Sequence, residues 1–114
     1  GGGDFAACDY IAASQMLAAL RQDYLALTAG YDAILCPTAP ILPPNAARLM
    51  EDADYYVKEN LLALRNTRIG NLMGLCAITL PSGTPSCGLM LMGPPGAEEG
   101  LLRLAQAAEA AILA

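Results

Sequence analysis

Ile69-Gly-Asn-Leu-Met-Gly-Leu-Cys-Ala-Ile-Thr-Leu-Pro-Ser-Gly-Thr-Pro-Ser-Cys-Gly-Leu-Met-Leu-Met-Gly-Pro-Pro-Gly-Ala97 contains no charged side chain. A membrane-spanning helix needs roughly 20 unbroken apolar residues, and Pro81, Gly83, Pro85 and Gly88 break this run. The alternative is a pair of short strands, Ala77–Leu80 and a second over 87–92 whose apolar part is Leu89–Met92. Apolar residues at successive positions mark strands covered on both faces, as in an α/β sheet held between helices. The six residues Pro81–Ser86 between them suit a broad hairpin and not a two-residue turn. The run thus predicts the middle of a sheet larger than this chain supplies.

Working outward, Pro94-Pro95-Gly96 breaks the chain and a last helix follows over Ala97–Leu113. Glu98 and Glu99 sit at its positive end, and Leu101, Leu104, Ala105, Ala108 and Ile112 form one apolar face. Glu99 and Arg103 are spaced to pair. Upstream, a helix is expected over Asp52–Asn66, interrupted beyond by Gly70 and Gly74. Residues 37–47 hold four prolines and read as a stiff irregular loop leaving the strand Ala33–Cys36. Loops at the carboxyl ends of strands are where α/β sheets usually bind ligands, although a plain surface connector reads the same way. At the start, Asp4 is a candidate N-cap of a helix reaching Ala29. Its stripe is Tyr10, Ala13, Leu17, Leu20, Tyr24 and Leu27, and Gly30 stands at a left-handed stop. The fold class is α/β: a partial mixed sheet flanked by helices, with residues 1–114 as a single unit.

Apolar residues make up 55% of the 114 and charged ones only 15%, against a usual charged share of about 25%. Small bodies expose proportionally more surface, so an independent domain of this size should be more polar. More chain or a partner, such as the second copy in a homodimer, would cover the excess. The net charge is −5, and the six basic residues are scattered, which argues against nucleic acid as partner. Cys8, Cys36, Cys76 and Cys87 form no Cys-x-x-Cys pair and read as buried thiols, not metal ligands or disulfides. With neither signal peptide nor initiator Met, the expectation is a cytoplasmic fragment or processed chain. Gly1–Gly3 read either as an expression scar or as the tail of an upstream loop.

No histidine is present, so imidazole acid–base chemistry is excluded. Gly1–Gly3 follow no strand and make no phosphate cradle. Glu51, Asp52 and Asp54 read as a solvated helix start, Lys58 as a solvated charge, and Ser14, Ser82 and Ser86 have no base nearby in sequence. The residues themselves assemble no catalytic constellation.

Several segments in order nevertheless carry a resemblance. They are Ala7-Cys-Asp-Tyr10, Tyr31-Asp-Ala-Ile-Leu-Cys-Pro-Thr-Ala-Pro40, Arg65-Asn-Thr67, Asn71-Leu-Met-Gly-Leu75, Leu80-Pro-Ser-Gly83, Gly88-Leu-Met-Leu-Met-Gly93 and Glu99-Gly-Leu-Leu102. Together they resemble the C-terminal end of amidase signature enzymes. The resemblance implies a parent hydrolase of carboxamide bonds that uses a Ser nucleophile, a second Ser in a cis peptide and a Lys, without metal or organic cofactor. Those catalytic motifs lie outside this chain, which by itself is expected to be inactive. The partner so implied is a small-molecule amide, with neither nucleic acid nor membrane. By position, Thr38, Pro40, Asn66, Thr67 and Asn71 would line the substrate pocket. Thr67 and Asn71 read equally as turn or cap residues. Cys76 and Ser86-Cys87 depart from the family pattern, and Leu64 stands where relatives acting on glutamine often carry Asp. The substrate is therefore left open. The rival reading is a noncatalytic α/β module that buries its apolar surface by self-association.

Overall fold

The computed structural model describes residues 2–113; Gly1, and with it part of the opening glycine run, lies outside them. After a single 3-10 turn, Gly2–Asp4, the described elements run α1 (Ala7–Thr28), β1 (Ile34–Pro37), α2 (Ala46–Glu51), α3 (Ala53–Ala63), α4 (Arg65–Met73), β2 (Cys76–Pro81), β3 (Gly88–Gly93) and α5 (Glu98–Leu113).

The strands form one sheet in the order β1-β3-β2. Both pairings are antiparallel, Leu35 and Ile78 flanking Leu91, and Cys36 and Thr79 flanking Met90. The α/β class holds, and all pairing among the described residues is antiparallel. Directly opposed residues share a face, so Leu35, Leu91 and Ile78 point one way and Cys36, Met90 and Thr79 the other. The first face is covered by α5, where Leu101 and Ala105 join Leu80 and Leu91 in the core, with Leu104, Ala108 and Ile112 packed against them. The second face receives α4, whose buried Gly70 lies over Met92: a Cβ there would come 3.4 Å from Met92 Sδ.

Among the described strands, only the central one is covered on both sides. In β2, Cys76, Ile78 and Leu80 are covered while Ala77, Thr79 and Pro81 are open, and Leu35 on β1 is 58% exposed. The expectation of two doubly buried strands therefore holds for β3 alone.

Helix boundaries follow local chemistry. Ala6, not Asp4, occupies the N-cap of α1 and makes no side-chain cap bond. Gly30 is not left-handed, since the helix ends at Ala29 in right-handed geometry. The proline-rich segment yields a short helix after all, because the Asn45 side chain accepts the Arg48 N–H at 3.0 Å and starts α2. Asp52 does the same for α3, accepting from Tyr55 N–H at 2.9 Å, and Arg48 also lies 3.6 Å from the Asp52 carboxylate. The expected second helix is thus α3, and a further helix, α4, follows it through Gly70. Gly74 closes α4 in the left-handed region (φ 71°). Leu75 N–H donates to Gly70 O at 2.9 Å and Gly74 N–H to Asn71 O at 3.2 Å, the Schellman arrangement that glycine permits.

Helix α1 leans on the rest through few residues. Arg21 Nε donates to Leu72 O at 2.7 Å at the carbonyl end of α4, where a cation also meets the helix dipole favourably. The half-buried residues of α1 are Leu17, Arg21, Tyr24, Leu25 and Thr28, while Tyr10 (69% exposed) and Leu27 (80%) of the expected stripe face outward. A helix apolar around most of its circumference is normally enclosed. The chain exposes 8091 Å², where a compact monomer of 11.8 kDa exposes about 5,900 Å². Its radius of gyration is 17.3 Å, against about 13 Å for a compact domain of this length. It is a slab 19 Å thick, with more apolar surface than it can fold over itself.

All four cysteines are free thiols; Cys8 is exposed and Cys36, Cys76 and Cys87 are half-buried. Cys8 departs from expectation because it lies on the outward-facing first turn of α1. Burial raises the Cys36 thiol above its ordinary value. Burial, and then the neighbouring Cys36, raise Tyr24, whose buried hydroxyl has no hydrogen-bond partner among the described residues. Both groups keep their protons more tightly folded than unfolded. Their contribution is complete below the ordinary thiol range, begins to fall once pH passes about 8.5 for the thiol and about 10 for the phenol, and is lost as pH rises through their raised folded values. The urea midpoint should therefore fall from about pH 8 to about pH 11, and Cys36→Ala should flatten the earlier part of the fall. An unchanged slope in that variant would remove Cys36 as the cause.

Candidate functional site

The carboxyl ends of β1 and β2 and the amino end of β3 meet at one edge of the sheet. There Thr38 N–H donates to Gly88 O at 2.9 Å, extending the β1–β3 ladder by one residue. Thr38, Gly88 and Thr79 lie on the face turned away from α5. Side chains on the two outer strands are normally kept apart by one on the central strand. Gly88 has none, and the Thr38 and Thr79 hydroxyls meet across it at 3.1 Å. A Cβ on Gly88 would come 2.8 Å from both Thr38 Oγ1 and Thr79 Cγ2.

Beside this pair lies a groove of about 440 Å³ between the Pro37–Leu42 segment and Thr79 with Ser86–Gly88. Among the described residues lining it none is charged. Its polar groups are the hydroxyls of Thr38, Thr79 and Ser86 and the Cys87 thiol. Pro37 closes β1, which its edge position tolerates, and Pro40 stiffens the segment beyond.

The residues anticipated from sequence divide between two places. Thr38 and Pro40 line the groove. Asn66, in the first turn of α4, does not line it but donates from Nδ2 to Pro37 O at 2.7 Å, tying the helix to the end of β1. Thr67 and Asn71, one turn apart on α4, border a separate shallow hollow of about 210 Å³ with Leu64 and Arg68. Thr67 Oγ1 donates to Leu64 O at 3.2 Å, the cap-like role open to it from the start. Ser82 serves the hairpin, donating to Cys87 O at 3.0 Å.

Thr79, Ser86, Cys87 and Gly88 are site residues that sequence reasoning misses. The alternation of Cys76, Ile78 and Leu80 with Ala77, Thr79 and Pro81 is the signal that Thr79 faces away from the core.

Comparison with known proteins bears on this edge, since residues 2–102, which span the whole sheet, match the family described as Amidase. The chain belongs to the amidase family. It is similar to a 2-amino-5-chloromuconic acid deaminase of Comamonas testosteroni, with 44% identity over 85 residues, covering 71% of this chain and 18% of that protein. A fatty acid amide hydrolase of Arabidopsis thaliana is 34% identical over 113 residues, 92% of this chain and 18% of the relative. One subunit of a glutamyl-tRNA(Gln) amidotransferase of Halobacterium salinarum is 33% identical over 103 residues, 88% and 23% respectively. This amidase-family chain thus spans about a fifth of the length of these relatives. No solved structure matches it. Among the described residues, no helix is long and apolar enough to cross a membrane.

Proposed function

We propose that this chain is one segment of an amidase, completing its sheet and supplying one wall of the pocket in which a carboxamide C–N bond is cleaved. The observation that carries this reading is the family match over residues 2–102. In the proposed enzyme a Ser nucleophile, a second Ser and a Lys stand in sequence outside residues 1–114, and no cofactor takes part. Thr38 and Pro40 form the wall, Asn66 holds its backbone in place, and Thr67 and Asn71 contribute from the neighbouring turn of α4. The exposed apolar surface of α1 and the open half of each sheet face support the reading, because a larger domain would cover them.

The test is a graft of this chain in place of the matching segment of the Comamonas relative, with the isolated chain measured beside it. The graft is expected to retain amide hydrolysis or the relative's deaminase activity, and the isolated chain to hydrolyse aryl amides no faster than buffer. Hydrolysis by the isolated chain that disappears in Ser82→Ala or Ser86→Ala would place catalysis here and overturn the proposal. The exposed face of α1 favours one rival, a noncatalytic module covered by a second copy. That reading requires a stable dimer by sedimentation together with an inactive graft.

A further inference from the structure

We infer that Arg21, on α1, is a positioning residue: by holding Leu72 O through its Nε it fixes the helix that carries Asn66, Thr67 and Asn71. That those residues serve a substrate rests on the function proposed above; the fixing itself follows from the bonds of α4.

The last carbonyls of a helix have no partner within it. At the end of α4, Gly74 N–H takes Asn71 O and Leu75 N–H takes Gly70 O. Leu72 O belongs to the same turn and is taken instead by Arg21 Nε, at 2.7 Å and from 51 residues away in sequence. The guanidinium lies beside Gly74, where an added Cβ would stand 3.9 Å from Arg21 Cζ. At the other end of the helix, Asn66 Nδ2 reaches Pro37 O, also at 2.7 Å. Thus α4 is pinned at both ends to elements remote in sequence, α1 and the end of β1, and Thr67 and Asn71 lie between the pins.

Packing between the pins does little to set the helix. Interlocking side chains are what fix a helix in rotation and height on its neighbour. The residue that α4 buries is Gly70, which has no side chain to interlock, so its contact with Met92 tolerates a turn or a slide. The two end bonds therefore carry the alignment. An Arg donor makes the α1 pin charge-assisted, and such bonds are stronger than neutral ones.

The donating atom supplies a sharp test. Glutamine places an amide nitrogen at the same point along the side chain as Arg Nε. Lysine has a methylene there and carries its ammonium one atom further out, and methionine has a methyl there. Glutamine thus keeps the bond without the charge, and lysine the charge without the bond.

The experiment follows amide hydrogen exchange of the full chain, residue by residue, in Arg21→Met, Arg21→Lys and Arg21→Gln. The kinetics of the graft carrying the same changes are measured beside it. Arg21→Met is expected to speed exchange of Gly74 and Leu75 about tenfold, through loss of one bond to a charged donor. Thr38 N–H, in the peptide whose carbonyl Asn66 holds, should speed about threefold as that end loosens. Leu101 N–H, bonded to Ala97 O within α5, should not change. Arg21→Gln should restore the original rates and Arg21→Lys should not. In the graft, Arg21→Met should raise KM several-fold with kcat held, because the proposed catalytic groups stand outside this chain. Arg21→Gln should bring KM back. Rescue by lysine and not by glutamine would make the charge, not the bond, the cause. Unchanged Thr38 exchange would confine Arg21 to the last turn of α4, and an equal rise at Leu101 would mean general loosening. Each of these overturns the inference, as does a fall in kcat at unchanged KM. An active graft indifferent to Arg21 would sink the inference and spare the amidase reading. An inactive graft of the unaltered chain would sink that reading, and the exchange rates would still decide whether Arg21 fixes α4.

Discussion

Replacing Gly88 by alanine is expected to cost about 1–3 kcal/mol, as overpacking of a well-filled site does, and to part the two threonine hydroxyls. The new methyl would sit 2.8 Å from Thr38 Oγ1 and from Thr79 Cγ2, closer than unstrained atoms approach. Neither neighbour is the loose end of a long side chain. Thr38 is held by its backbone bond to Gly88 O, and Thr79 stands on a strand paired along its length with β3. Both β-branched residues have few rotamers into which to retreat. The conflict is local, so it should vanish when its partners are removed. Gly88→Ala in a Thr38→Ala/Thr79→Ala background is expected to cost less than half its value in the unaltered chain, measured as a urea-unfolding cycle. Equal costs in both backgrounds would show that the penalty comes from the β3 backbone and not from this contact.

That glycine illustrates which parts of the molecule are legible in the chain itself. The strands 77–80 and 87–92 emerge within one or two residues as β2 and β3, because an uncharged run bounded by proline and glycine has few other stable forms. The last helix is equally legible, since Leu101, Leu104, Ala105, Ala108 and Ile112 repeat at helical spacing and do meet the sheet. Glu99 and Arg103 pair as spaced. The failures have physical causes. Gly70 reads as an interruption, but α4 runs through it and packs it, buried, against Met92. Asn45 is hidden among prolines, although its side chain starts a helix. The stripe expected on α1 is mis-set, because a helix apolar on most sides offers no periodicity to choose from. Of the candidate wall, Thr38 and Pro40 are reachable through their place after a strand. The meeting of Thr38 with Thr79 depends on register across three strands, which no local pattern encodes.

Leu101→Ala should be a severely damaging truncation. Leu101 is 5% exposed and Ala105 2% exposed, and with Leu80 and Leu91 they make the core between α5 and the sheet. Truncating a buried leucine costs about 2–5 kcal/mol, depending on how far the site collapses. Leu101 packs over the side-chain-free Gly93, where an added Cβ would come 3.5 Å from Leu101 Cδ1, so truncation empties the space above that glycine. Whole domains are stable by only about 5–15 kcal/mol, and this slab, with its uncovered surface, belongs at the lower end. Loss of Leu101 therefore removes a large share of what holds α5 down. A three-stranded sheet with one face uncovered has little stability of its own. Leu102, 58% exposed on the same turn, provides the control, since surface truncations usually stay within about 0.5 kcal/mol. Circular dichroism in urea should show a broad or early transition for Leu101→Ala and an unshifted one for Leu102→Ala. The consequence reaches the groove as well, because α5 braces β2 and β3 from behind while their opposite face carries Thr79 and Gly88. Cys87 should accordingly react faster in Leu101→Ala before the helices melt. An unchanged midpoint would mean that α5 contributes far less to this sheet than its burial implies.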